Sequence, residues 1–237
     1  MSRTVERPAA RPAAAAPRPD PRTLAAVLAG KTVGAASRAL GRGGGTALPG
    51  VVAEWIQPAL LARLARQIGA GTACVTGTNG KTTTARMVAA MARHAGYLPV
   101  HNRSGSNLMR GLAATMVAAV GPTGRLPDAD RRLGVLEVDE ATLPQAAAAV
   151  RPRAVAVTNL FRDQLDRYGE VDSIAALWRR TLDLLPEETA RVLNADDPLV
   201  ASLGGRARGP VLYYGVDDAA CALATPEHAA DSRWCGT

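Results

Sequence analysis

Ala73-Cys74-Val75-Thr76-Gly77-Thr78-Asn79-Gly80-Lys81-Thr82-Thr83-Thr84 decides the fold. Small and apolar residues make a short buried strand, Gly77 and Gly80 build a turn, and a helical run follows from Ala85 to His94. A strand, a glycine turn and a helix start meet the needs of a triphosphate. Glycines let backbone N–H groups approach phosphate oxygens, and the helix N-terminus adds favourable partial charge. Lys81 has the reach for β and γ oxygens, and the Thr82 hydroxyl is a ligand for Mg²⁺. The strict phosphate-loop spacing wants a glycine where Val75 stands, so the match is to a shorter variant, Gly-Thr-Asn-Gly-Lys-Thr-Thr over 77–83. A tight βα turn carrying an exposed lysine is the plainer explanation. Residue choice weighs against it: Lys31 and Lys81 are the only lysines, beside 26 arginines. A compact ammonium stands where phosphate chemistry wants one, in a chain that otherwise uses guanidinium.

Working outward, apolar strand-like runs fall at 72–76, 97–100, 133–138, 154–158, 190–194 and 211–214. Helical runs lie between them at 83–95, 106–119, 142–149, 171–185 and 197–203. Near-continuous apolar strands separated by helices predict an α/β fold, a phosphate-loop-type parallel sheet with helices on both faces. Ligands in such folds sit at the carboxyl ends of the strands. Polar residues collect there. Strand 97–100 leads into His101, Asn102, Arg103, Ser104, Gly105, Ser106 and Asn107. Strand 133–138 delivers Glu137, then Asp139 and Glu140. Strand 154–158 leads to Asn159, Arg162, Asp163, Gln164, Asp166, Arg167 and Tyr168, and strand 190–194 to Asn194, Asp196 and Asp197. Taken singly, each cluster has a plainer role: Asn194, Asp196 or Asp197 as a helix cap at Pro198, the Asp163 group as a salt-bridged turn. Together, beside a phosphate loop, they predict a site.

A magnesium nucleotide wants a hydroxyl and a carboxylate as protein ligands. Thr82 supplies the first, and Glu137, at the end of the third strand, is the best candidate for the second, with Asp139 and Glu140 lying beyond that strand. The three histidines, His94, His101 and His228, lie outside the acidic clusters and are expected at the surface. Cys74 is expected in the core.

Residues 1–22 repeat Pro, Ala and Arg and are expected to form a disordered tail. A helix over 23–40 and a loop over 41–50 complete an N-terminal segment, 23–50. Residues 51–68 show helical spacing through Val52, Ile56, Leu60, Leu61, Leu64 and Ile68. The main domain is expected over 51–220, with 221–237 as the start of something further. The formal net charge of +7 is concentrated in residues 1–42, which carry +6, so the body is nearly neutral. Aromatics are 3% of the chain, leaving little to stack bases, and nucleic-acid binding is not expected. Three cysteines suit a reducing compartment, and no stretch is long and apolar enough to span a bilayer. The expected location is cytoplasmic, with work at the inner membrane surface left open.

These motifs together resemble the Mur ligase family, ATP-dependent enzymes that activate a carboxylate as an acyl phosphate for attack by an amine. The resemblance rests on Gly77–Thr82, on the strand-terminal Glu137, on the Asp-x-x-Asp-Arg-Tyr turn at 163–168, and on Asn-x-Asp-Asp at 194–197. Within the family, the chain is similar to MurT-type amide-ligase subunits at 41–46, at 48–50, at Asn102 with 105–108, at 137–141 and at 158–170. That likeness implies a nucleotide site made of Gly77, Thr78, Asn79, Gly80, Lys81, Thr82, Thr83, Asn107 and Asn194. It implies catalysis with Lys81 and Glu137, and Mg²⁺ on Thr82 and Glu137. It implies a lipid II substrate amidated on its D-glutamate α-carboxylate with ammonia from a GatD-like glutaminase partner. Gln164 stands where many Mur ligases have a histidine metal ligand, and no lysine follows Lys81, so a second Mg²⁺ held in the family's usual way is not expected. MurT-like proteins also carry a four-cysteine zinc ribbon; here Cys235 would be a single zinc ligand, and the chain is expected to be truncated. Another Mur-like ligase of the folylpolyglutamate or cyanophycin type remains an alternative, as does a non-catalytic ATP-binding module.

Overall fold

Six apolar runs that alternate too little to face water on one side need cover on both, and a parallel sheet wrapped by helices supplies it. The computed structural model describes residues 19–40, 47–102, 106–161 and 170–218. Its strands are β1 (Thr72–Thr76), β2 (Leu98–His101), β3 (Arg132–Glu137), β4 (Ala154–Val157), β5 (Ala190–Asn194) and β6 (Val211–Tyr214). They pair in the order β2-β3-β1-β4-β5-β6, every pair parallel. The strand before the Gly77–Gly80 turn therefore lies inside the sheet, where the winding reverses. β2 and β3 lie to one side and β4, β5 and β6 to the other, the place at which such sheets open a crevice.

The strand period sorts the core into two layers. Cys74, Leu136, Val155 and Val157 join the larger apolar cluster, while Val75 and Val135 face the other way onto Ala85 and Ala89. Those alanines belong to α4 (Lys81–His94), whose small residues let the helix lie close over β1 and β3. The larger layer takes α5 (Met109–Ala119), α6 (Leu143–Val150) and α7 (Glu170–Leu184). Trp178 of α7 is fully buried there, and its Nε1 donates to the Glu140 carbonyl at 2.9 Å. Each fully buried Leu in this layer is worth about 1.5–3 kcal/mol of transfer free energy.

Helices α1 (Pro21–Ala39), α2 (Leu48–Ile56) and α3 (Leu60–Ala65) add a further layer over α5. Asp20 caps α1 by accepting from the Thr23 N–H, and its pKa is lowered by that bond, by the Thr23 hydroxyl and by Arg63. Two features of this helical layer differ from expectation. Residues 48–50, read as loop, form the first turn of α2, because Pro49 suits an opening helical position and Gly50 lets α2 approach α5. A Cβ on Gly50 would sit 1.9 Å from the Arg110 carbonyl oxygen. The single helix expected over 51–68 is two, since Pro58 holds Gln57 in an extended conformation and ends α2 there.

Arg191 is buried within β5. Its guanidinium donates to the carbonyls of Leu182 and Leu185 at 2.9 and 3.0 Å, with further bonds to Pro186 and Thr189. A strand side chain thus satisfies carbonyls at the end of α7, which a helix C-terminus leaves without intrahelical donors. Of the histidines, His94 is exposed, but His101 ends β2 half-buried and its Nδ1 donates to the Val135 carbonyl at 3.0 Å. His228 lies outside the described residues.

Candidate nucleotide and metal site

The site grows from the turn after β1. Gly77 has φ +136 and Gly80 φ +80, backbone that side chains rarely adopt. At Gly77 space is also closed: a Cβ would meet the Thr158 Oγ1 at 2.1 Å and Asn159 backbone at 2.9 Å. At Gly80 nothing lies within 4 Å. One glycine is needed for packing against β4, and the other keeps the loop's outer side open beside the N-terminus of α4.

The loop is held from the end of β4. The Asn79 N–H donates to the Asn159 Oδ1 at 2.8 Å, and Asn159 Nδ2 returns a bond to the Asn79 carbonyl at 3.1 Å. The Thr158 hydroxyl donates to the same carbonyl at 2.7 Å. Thr78 N–H donates to the Asn159 carbonyl, and the Thr78 hydroxyl exchanges contacts with Phe161 backbone. The loop conformation is thus braced from the end of a neighbouring strand.

On the other flank, the Thr82 hydroxyl donates to Glu137 Oε2 at 2.8 Å. Glu137 is 3% exposed, and its backbone is gripped from both sides by Asn102: the Glu137 N–H donates to Asn102 Oδ1 at 2.9 Å, and Asn102 Nδ2 donates to the Glu137 carbonyl at 2.8 Å. β2 therefore orients the carboxylate at the end of β3. Lys81 Nζ lies beside the Gly77 and Thr78 carbonyls and pairs with Glu140 Oε1 at 3.0 Å. Burial raises the Glu140 pKa, while Lys81 opposes that shift. Glu140, expected beyond the strand end, is brought back by the turn after β3. Asp139 is spent on that turn, accepting from Ala141 N–H and contacting the Thr142 hydroxyl.

The β5 end is structural in its contacts. Asn194 Nδ2 donates to the Thr158 carbonyl at 2.8 Å and its Oδ1 accepts from Asp196 N–H. Asp197 caps α8 (Pro198–Ser202) through the Val200 N–H and also accepts from Leu160 N–H at 2.7 Å. Asn107 contributes a backbone carbonyl to Asp139 N–H, and Thr83 occupies the first turn of α4. The turn at 163–168 with Gln164, and Cys235, lie outside the described residues. What the sequence did not single out is the loop-holding part of Thr158 and the pairing of Glu140 with Lys81. The run of hydrogen-bonding residues after each strand was the available signal.

A hollow of about 970 Å³ opens at the opposite edge of the sheet, lined by residues that include Pro144, Arg151, Arg153 and Leu184. It holds none of the groups above. Parallel sheets take their ligands at the carboxyl ends, and that edge carries the Gly77–Gly80 turn. Among the described residues no three His, Cys, Asp or Glu cluster as a ready-made metal cage. Thr82 and Glu137 fit Mg²⁺, which takes few protein ligands and fills its octahedron with water and phosphate. Their oxygens already lie at hydrogen-bond separation, beside the loop that would present the phosphates.

The chain belongs to the Mur ligase family: the Mur ligase middle domain matches residues 75–233. Among curated relatives, the lipid II isoglutaminyl synthase (glutamine-hydrolyzing) subunit MurT of Staphylococcus aureus (strain COL) is 33% identical over 181 residues, covering 76% of this chain and 39% of that protein. The subunit of the same name from Streptococcus pneumoniae (strain ATCC BAA-255 / R6) is 32% identical over 195 residues, covering 82% and 41%. The chain thus spans about two fifths of the length of these relatives. MurF from Acinetobacter baumannii superposes with a TM-score of 0.56 at 16% identity, over 70% of this chain and 35% of that one, a likeness of fold.

Proposed function

We propose that this chain is the nucleotide-binding part of an ATP-dependent amide ligase that acts on the D-glutamate α-carboxylate of the lipid II stem peptide. The observation that carries the reading is the meeting of Lys81, Thr82 and Glu137 on one phosphate loop, in a chain similar to MurT subunits. Backbone N–H groups of residues 77–83 would bind the phosphates, and Lys81 would balance charge on the γ-phosphoryl group as it transfers. Thr82 and Glu137 would hold Mg²⁺, which supplies charge neutralisation at the phosphates. Asn102, Thr158 and Asn159 act as positioning residues, keeping Glu137 and the loop in register.

The reaction balances as two displacements. A carboxylate oxygen attacks the γ-phosphorus, the bond to the β-phosphate oxygen breaks, and ADP leaves. Ammonia from a GatD-like glutaminase then attacks the acyl carbon. The C–N bond forms, the C–O bond to phosphate breaks, and the ammonia nitrogen gives up a proton. An enclosed site is needed, since water competes for the acyl phosphate.

The test is run on the full-length gene product with its glutaminase partner, lipid II, glutamine and Mg-ATP, reading the stem peptide by mass spectrometry. Conversion of one carboxylate to the amide, and hydroxamate formation when hydroxylamine replaces ammonia, are the expected results. ATP binding without either product would reduce the protein to a nucleotide-binding module.

A further inference from the structure

The helical layer above α5 carries a feature that nucleotide binding does not use. On α2, Leu48 is 50% exposed and Trp55 is 87% exposed, with the half-buried Val51 and Val52 between them. Residues 48, 51, 52 and 55 follow one face of a helix, so these side chains form a continuous apolar stripe. The opposite face is spent on packing: Gly50 and Ala53 are buried against the rest of the layer.

The charge around the stripe is mostly basic, although Asp20, the cap of α1, pairs with Arg63 at 2.6 Å. α1 carries Arg22, Lys31 and Arg38 and no acidic residue, and α3 adds Arg63. Arg22 donates from Nε to the Ile56 carbonyl, which places a guanidinium at the end of α2. Arg110, exposed in the first turn of α5, lies against the start of α2 and near Glu54, the one acid of that helix. The first 42 residues carry a net charge of +6. Tryptophan and leucine on one helix face, with arginine and lysine around them, are what a helix lying in a lipid–water interface presents. Trp favours that depth because its ring is apolar and its N–H stays near water. Anionic headgroups match the basic residues.

We propose that the Leu48–Trp55 face of α2, with Arg22 and the basic residues of α1, docks on an anionic lipid bilayer. No helix among the described residues is long and apolar enough to cross a membrane, so the contact is peripheral. α2 begins against the first turn of α5, and α5 follows Asn107, whose carbonyl accepts from the Asp139 N–H beside the candidate site. A bilayer engaged by α2 would lie next to that edge, as a lipid-anchored substrate requires. This last point rests on the function proposed above; the docking itself does not.

The test uses the full chain without nucleotide or stem peptide, floated with vesicles of phosphatidylcholine alone or with phosphatidylglycerol added. Binding about tenfold stronger to the anionic vesicles is expected, with a blue shift of tryptophan emission. In a Trp234→Phe background, Trp55→Phe should abolish the shift yet keep binding, since Trp178, the remaining tryptophan, is already buried. Leu48→Ser with Trp55→Ser should weaken binding about tenfold, with the circular dichroism spectrum and nucleotide affinity unchanged. Equal partition to both vesicle types, or full binding by the double serine variant, would overturn the proposal. So would a double variant that keeps vesicle binding and loses only its glutaminase partner, which would make the face a protein interface.

Discussion

The Thr82 hydroxyl donates to Glu137 Oε2 at 2.8 Å, joining the first turn of one helix to a strand end 55 residues away. Asn102 clamps the Glu137 backbone, so a change at the carboxylate alone leaves the strand end in place. Glu137→Gln should therefore fold normally. It should lower ATP affinity about tenfold or more in the presence of Mg²⁺, the scale of losing a charged ligand, and change it little with chelator. Titration calorimetry under both conditions checks this. An equal loss under both would remove Glu137 from metal binding.

Gly77 and Gly80 both have positive φ, but the surroundings separate them. Gly77→Ala drives a methyl into Thr158 and Asn159 and should displace the loop, costing more than the ~1–2 kcal/mol of a left-handed alanine and abolishing nucleotide binding. Gly80→Ala meets nothing within 4 Å and should cost only that conformational amount. Denaturant unfolding and a nucleotide-binding assay on the two variants should separate accordingly.

Burial raises the Glu140 carboxyl pKa above its ordinary value despite Lys81. The folded state then holds this proton more tightly than the unfolded chain does. Glu140 contributes stability fully below its unfolded pKa, and that contribution is lost as pH rises through the higher folded value. The difference in Tm between wild type and Glu140→Gln should therefore shift against the wild type as pH rises through that window. A difference that does not vary with pH would contradict the shift.

Arg191 bonds to carbonyls at the end of α7 from inside the sheet. Arg191→Met keeps much of the apolar stem but removes the Arg191 donor from the Leu185 carbonyl and leaves the Leu182 carbonyl with only the long Leu185 N–H contact at 3.4 Å. About 2–4 kcal/mol of destabilisation is expected, read as a lower Tm and easier urea unfolding, while nucleotide affinity in the folded protein stays near wild type.

Much of this was legible in the sequence, because parallel strands announce themselves as short apolar runs and glycine turns have few alternatives. Strands 72–76, 190–194 and 211–214 fall at Thr72–Thr76, Ala190–Asn194 and Val211–Tyr214. Glu137 was legible as the acid at the end of β3, on the same face as Val135, which meets α4 and its Thr82. Glu140 did not, since alternation ends with the strand and the turn that returns it to Lys81 is set by tertiary contacts such as Trp178 on its carbonyl. The split between α2 and α3 was available in Pro58, but helical spacing runs through the break and hid it. Asn194 and Asp197 show the converse difficulty. Polar residues at a strand end read alike whether they meet a ligand or the protein itself, and only the structure shows Asn194 bonded to the Thr158 carbonyl and Asp197 capping α8.

Because the loop-bearing strand is the first made and one of the innermost, its supports arrive late from the ribosome. Asn159, which braces Asn79, is synthesised 80 residues afterwards. During translation the glycine turn must wait, without its brace or its carboxylate neighbour, until the fourth strand emerges. Nascent chains halted before residue 158 should therefore lack a formed cradle, and competence should appear abruptly rather than in proportion to length.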